Sequence, residues 1–427
     1  MLLRFGVSNH LSIRDHQELS LVASSLKDSE EGIIDCGVAP SGRLLPVAVI
    51  YGANASGKSN IVAALEFMRS AVLYSHSRGM PGEGVPYRPF ALDPSCAGKP
   101  SVFDVDFVVN GIRYHYGFKV SEESFDAEWL HVFPHGRVQV LYERAGKSFQ
   151  FGRNLKGRNK IIADLTRDNS LFLSAAVQNG HEYLTKVAKF FHSLRNDTDI
   201  SIPGGLASIR LAEHDVDRRS ITFLHNIGTG VIDYRRQEEE ISEEIQATRH
   251  EMVSLLMKTL KRPVKIKSNI DNDDKFVAIE LAHLGSDGKP IFFNLDWESA
   301  GTRRLLVLLG HAFQVIDEGA LLIIDELDAS LHTLACENLL RLFSSHETNP
   351  NGAQMVATTH DTNILRLPVL RRDQVWFTEK DTKGATHLYP LTDIRTRKGD
   401  NIEKGYLEGR YGAIPFAGPV PDAVSAE

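Results

Sequence analysis

Cysteine is scarce: Cys36, Cys96 and Cys336 are the only three in 427 residues, far apart and without a C-x-x-C pair. That excludes a disulfide framework and gives no zinc spacing, so buried, inert thiols are expected. Long hydrophobic runs are also missing. The longest, Leu305 to Phe313, already contains His311, well short of the roughly 20 apolar residues that cross a bilayer. The N-terminus, MLLRFGVSNH, is broken by Arg4 and by polar residues from Ser8 onward, which excludes a signal-peptide apolar region. A cytoplasmic location without membrane contact is therefore expected. Nor is there an excess of positive charge, because 48 Lys and Arg stand against 55 Asp and Glu, a formal charge of −7. Any nucleic-acid contact must come from a local patch rather than a global field. A charged fraction of 24% and a hydrophobic fraction of 42% exclude collagen-like and broadly disordered chains, and no internal repeat is visible.

What is present has a clear order. Residues 2–7 and 17–23 read as short strands, and Val47–Tyr51 as a buried one. A glycine-rich loop follows, and then Ile61, Ala64, Leu65 and Met68 at helical spacing. Residues 78–100 are rich in Gly and Pro and read as a loop. From 102 the alternation of VFDVDFVV, the turn Asn110-Gly111 and the alternation of IRYHYGFKV predict a hairpin, extended by AEWLHVF and RVQVLYE into an antiparallel sheet. LFLSAA reads as strand-like. Residues 181–195 and 234–262 read as helical, and in the second Ile241, Ile245, Thr248, Met252 and Leu255 step by 4, 3, 4, 3, the seam of a short coiled coil. That face packs either on its own domain or on a partner. VKIKSNI, KFVAIELAHL and IFFNLDW return as strands. A helix after Gly301, the buried strand ALLIIDE, a helix from about 333 and the strand AQMVATTH then alternate, which predicts a parallel sheet.

The loop Gly52-Ala-Asn54-Ala-Ser56-Gly57-Lys58-Ser59 matches G-x-x-x-x-G-K-[ST] between a strand and a helix, with Asn60 next in line. Its small residues let backbone N–H groups turn inward around phosphate oxygens, and the helix N-terminus adds partial positive charge. Lys58 would reach the β- and γ-phosphates and Ser59 would ligate Mg²⁺. Leu321-Leu-Ile-Ile-Asp325-Glu326 supplies a buried strand ending in two carboxylates, at the edge where open α/β sheets bind ligands. Asp325 would hold Mg²⁺ through water and Glu326 would polarise the attacking water; a helix N-cap is the alternative for the pair. Together the motifs imply ATP hydrolysis. Trp297-Glu-Ser299-Ala-Gly301-Thr302 places a hydroxyl and a glycine at a helix start, a second phosphate-binding terminus available to the ATP of another subunit.

The order of Walker A, antiparallel sheet, helical insertion, ESAGT, LLIIDELDASLH and TTHD resembles the ATP-binding-cassette ATPases of the SMC, RecF and OLD branch. The fold class this implies is α/β: a P-loop NTPase (ABC ATPase head) with an antiparallel β subdomain and an inserted helical lobe. The resemblance makes Ser299 and Gly301 the signature motif, Asp328 to His332 the D-loop, His360 the switch histidine at the γ-phosphate and Gln178 the Q-loop residue. The C-terminal stretch LRRDQVWFTEKDTKGATHLYPLTDI followed by GYLEGRYGAIPF is similar to bacterial AAA-family ATPases grouped with the AbiLi and RloA abortive-infection proteins, relatives of PtuA. The signature departs from the transporter-like LSGGQ, and the insertion is too short for a long SMC arm.

On this resemblance residues 1–185 form the N-terminal half of the head, 186–262 the inserted helical lobe and 263–427 the C-terminal half. It implies a homodimer or higher homo-oligomer through an ATP sandwich, and a separate effector subunit, an HNH or TOPRIM nuclease, gated by the ATPase. Only about 65 residues follow His360, too few for a TOPRIM fold, and Glu379 with Asp381 has no further acidic motif behind it. The runs Arg153, Lys156, Arg158, Lys160 and Lys258, Lys261, Arg262, Lys265, Lys267 are candidate contacts to DNA or RNA, with solvated surface charge as the alternative. The segment Arg410 to Phe416 either docks a partner or covers a sheet edge.

Overall fold

The computed structural model describes residues 1–78, 80–196, 215–240 and 275–414, and the chain divides into two compact units, Met1–Thr198 with Gln314–Glu427, and Asp199–Phe313. In the first unit the apolar runs Val47–Gly52, Leu321–Ile324 and Gln354–Thr358 are strands buried at every position, as strands covered on both faces must be. They form the middle of a six-stranded sheet completed by Arg195–Asn196 on one side and by Val375–Lys380 and Thr386–Pro390 on the other. Five strands are parallel and the last is antiparallel. Val47–Gly52 lies between Gln354–Thr358 and Val375–Lys380, with Val49 paired to Ala357 and Ile50 to Trp376. Because these strands run the same way, Gly52, Asp325 and Thr359 leave the sheet along one carboxyl edge.

The second sheet has seven antiparallel strands, in the order Ser148–Phe151, Gln139–Ala145, Phe125–Phe133, Ile112–Val120, Ser101–Val109, Leu2–Ser8, Gln17–Ser20. Its tight hairpin turns at Asn110-Gly111, both with positive φ, 50° and 73°, the geometry Asn-Gly adopts readily. The long helix Lys58–Arg78 reaches both sheets. Its Phe67 ring lies 4.9 Å from Phe103, and Ile61, Leu65 and Met68 share one core cluster with Ile50, Ile323, Phe5 and Phe118.

LFLSAA is not a strand: Phe172–Gln178 is a helix. A short apolar run fits either element, and a distant residue decides here. Glu128, fully buried, accepts the Phe172 N–H at 2.6 Å and the Leu173 N–H at 3.0 Å, satisfying first-turn donors that a helix leaves open.

The second unit holds the helix Arg218–Asn226 and an antiparallel sheet of Val231–Glu240, Lys275–Leu284 and Pro290–Asn294. The helix expected from 234 is therefore corrected: residues through Glu240 form a strand, with Tyr234 opposite Leu281 and Arg236 opposite Ile279. Cross-strand pairing outweighs the helix preference of this Glu-rich stretch. The seam Ile241 to Leu255, the stretch VKIKSNI and the cations Lys258 to Lys267 lie outside the described residues, as does Phe416. Among the described residues no helix is long and apolar enough to cross a membrane, and the three cysteines are free and buried.

Candidate functional site

The loop after Val47–Gly52 is shaped by backbone demands that only small residues meet. Gly57 has φ +109°, and a Cβ there would collide with the Thr386 hydroxyl; one at Gly52 would meet the Thr378 carbonyl and the Ser56 hydroxyl. Ala55 adopts φ +63°. The Ser56 hydroxyl lies 2.6 Å from that of Thr378, and Thr386 Oγ1 donates to the Ser56 carbonyl at 2.8 Å. Asn60 Nδ2 donates to Ser12 Oγ at 2.5 Å, and Ser12 Oγ lies 2.7 Å from Thr386 Oγ1. Ser56 and Asn60 thus brace the loop, while Asn54 and Ser59 are exposed, Asn54 lining the cavity described below and Ser59 not. Lys58, 5% exposed, donates to the Gly52 carbonyl at 2.8 Å and the Ala53 carbonyl at 3.1 Å. Burial holds its pKa below the usual lysine value, opposed by the nearby carboxylates of Asp325, Asp328 and Glu326.

The facing groups come from the ends of two neighbouring strands. Thr358, fully buried, donates from Oγ1 to Asp325 Oδ1 at 2.5 Å and accepts the Glu326 N–H at 2.8 Å. One hydroxyl thereby fixes both acids. Glu326 has φ +54°, a left-handed conformation that costs a non-glycine residue about 1–3 kcal/mol. Asp328 Oδ1 accepts the Thr359 hydroxyl at 2.6 Å and the His360 backbone N–H at 3.1 Å. His360 Nδ1 lies 3.5 Å from Lys58 Nζ; an ammonium only donates, so Nδ1 is the acceptor. A cavity of about 690 Å³ opens among Gly52, Ala53, Asn54, Glu326, Asp328 and His360.

Ser59 and Asp325 offer a hydroxyl and a carboxylate, hard oxygen donors of the kind that hold Mg²⁺ together with nucleotide phosphates and water. Among the described residues no group of three or more His, Cys, Asp or Glu forms a metal site, and a Mg²⁺ bound mainly by nucleotide does not need one.

Gln178 is not brought here. It ends the helix Phe172–Gln178, is exposed, and is absent from the cavity wall. Ser299 and Gly301 belong to the second unit, where Ser299 Oγ accepts the Thr302 N–H at 3.0 Å as the cap of the helix Ala300–Glu318. Arg153, Lys156, Arg158 and Lys160 are all exposed. Glu379 accepts the Tyr389 hydroxyl and the Ala413 N–H, each at 3.2 Å, and Asp381 accepts the N–H groups of Lys383 and Ala385; both acids hold turns. Ser12, Thr358, Thr378 and Thr386 were not found by sequence reasoning. Thr358 had a signal, lying in TTHD; the other three are joined to the loop only by folding.

A phosphate loop at the carboxyl end of a central parallel strand, facing an acid pair and a histidine, defines a P-loop nucleotide-binding fold of the α/β class. A family model described as "AAA domain, putative AbiEii toxin, Type IV TA system" matches residues 47–366, and the chain belongs to that family. It is a family of nucleotide-binding ATPases linked to AbiEii-type toxin–antitoxin systems. No curated protein matches the chain significantly.

Proposed function

We propose that the chain binds ATP with Mg²⁺ and hydrolyses it as an ABC-type head of the SMC, RecF and OLD branch, serving a bacterial anti-phage system of the abortive-infection type. The observation that carries this is the approach of Lys58 Nζ to within 3.5 Å of His360 Nδ1, where His360 and Glu326 line one cavity with the start of the phosphate loop. The loop amides and Lys58 bind the β- and γ-phosphates. His360, set by Asp328, touches the γ-phosphate, and Glu326 takes the proton of the attacking water. Mg²⁺, held by Ser59 and Asp325, would neutralise charge between the phosphates. ATP closes a head-to-tail dimer against Ser299 and Gly301 of a second copy, and the cycle gates an effector subunit, an HNH or TOPRIM nuclease, in the cytoplasm.

Glu326→Gln is expected to retain ATP and lose turnover by about 100-fold or more, and Lys58→Ala to lose binding. Equal hydrolysis by Glu326→Gln and wild type would remove Glu326 from the role of base. The exposed cations Arg153 to Lys160 favour a second reading, a RecF-like ATPase that clamps DNA. Turnover stimulated by DNA alone, steeply weakened by salt, selects it.

A further inference from the structure

The segment Asn401–Ile414 follows the last strand by ten residues and folds back onto the nucleotide cavity. Asn401 caps the helix Ile402–Leu407 by accepting the Lys404 N–H at 2.8 Å. The Tyr406 ring stacks on Phe377, centroids 5.5 Å apart at 11°, and lies 6.2 Å from Tyr51, the residue before Gly52. Tyr406 Oη donates to the Ala413 carbonyl at 3.0 Å and Tyr389 Oη to the Tyr411 carbonyl at 2.8 Å. The segment is thus tied to the strand that carries the phosphate loop and to that strand's neighbour.

Its residues Tyr406, Leu407 and Ile414 line the cavity together with the loop start, Glu326, Asp328 and His360. The segment thus adds apolar side chains to a cavity whose polar groups carry the proposed chemistry. Leu407 is 59% exposed, although Tyr406 beside it is buried. A leucine this exposed adds little to the core, so its use lies in the apolar surface it gives the cavity.

We infer that Leu407 and Ile414 are positioning residues for hydrolysis: they shield the γ-phosphate end of the cavity from bulk water, so that the water polarised by Glu326 stays placed and its charge interactions stay strong. This rests on the reading of Glu326 as the base. On the proposed reading phosphate affinity comes from the loop amides and Lys58, so removing the apolar side chain should separate binding from turnover.

The test uses the full chain, mant-ATP fluorescence for affinity, and single-turnover hydrolysis of ATP. Leu407→Ser is exposed enough to fold, checked by thermal melting. It should bind mant-ATP within about threefold of wild type and hydrolyse about tenfold more slowly or worse, while Leu407→Met recovers turnover to within about twofold. Hydrolysis by Leu407→Ser within about twofold of wild type overturns the inference, as does a loss of affinity equal to the loss of turnover. If Glu326→Gln is inactive and Leu407→Ser is normal, the apolar shield alone fails. If Glu326→Gln turns over normally, the base assignment fails and the shield with it.

Discussion

Thr358 is the residue on which the acid pair depends. Thr358→Val keeps the shape but leaves Asp325 Oδ1 and the Glu326 N–H without this partner. A lost buried pairing costs about 1–3 kcal/mol, so urea unfolding should show that loss. Turnover should fall about tenfold as Glu326 loses its backbone anchor, and Thr358→Ser should restore both. His10 gives a second test at the same scale. It is 4% exposed between Phe67 and Phe103, ring centroids 5.4 and 5.0 Å away. Burial first, and Arg88 second, hold its pKa down from 6.5 to about 4. The unfolded chain takes up a proton at pH values where the folded chain refuses it. The contribution is therefore complete above pH 6.5 and lost as pH falls toward about 4, an effect of about 3 kcal/mol. Unfolding of His10→Phe at pH 7 and pH 4.5 should show a smaller acid loss than wild type; equal losses would clear His10.

At the scale of elements, Glu128 shows why some of the fold could be read in the sequence and some could not. Its carboxylate accepts the hydroxyls of Tyr116 at 3.1 Å and Tyr142 at 2.8 Å, as well as the two N–H groups that start the helix Phe172–Gln178. Glu128→Leu leaves four donors without this acceptor and unbalances buried Arg144, 4.0 Å away. A cost of about 3–5 kcal/mol is expected, seen as a lowered melting temperature. Retention of wild-type stability would show that the helix forms without the carboxylate. The buried strands Val47–Gly52 and Leu321–Ile324 and the Asn110-Gly111 hairpin were legible because their signals are local: a continuous apolar run, alternation, a turn dipeptide. Phe172–Gln178 and Val231–Glu240 were misread because partners 35 or more residues away along the chain decide them.

For the whole molecule, a charge of −7 leaves phosphate binding to a few placed groups. The front of that site was legible as a spaced motif, G-x-x-x-x-G-K-S. Its back was not, since Ser12 and Thr386 reach Asn60 and Ser56 across 48 and 330 residues. Whether one chain makes a complete site is decided by assembly. In a head-to-tail dimer, Lys58→Ala and Ser299→Arg are each inactive alone, because every site lacks either its phosphate loop or its signature. A heterodimer regains one intact site, formed by the phosphate loop of the Ser299→Arg chain and the signature of the Lys58→Ala chain. Random mixing in equal amounts makes half the dimers mixed, so the mixture should recover about a quarter of wild-type turnover. A mixture no more active than its components means that Ser299 does not act across subunits. Full activity of Ser299→Arg alone means that the site around Lys58, Glu326 and His360 is complete within one chain.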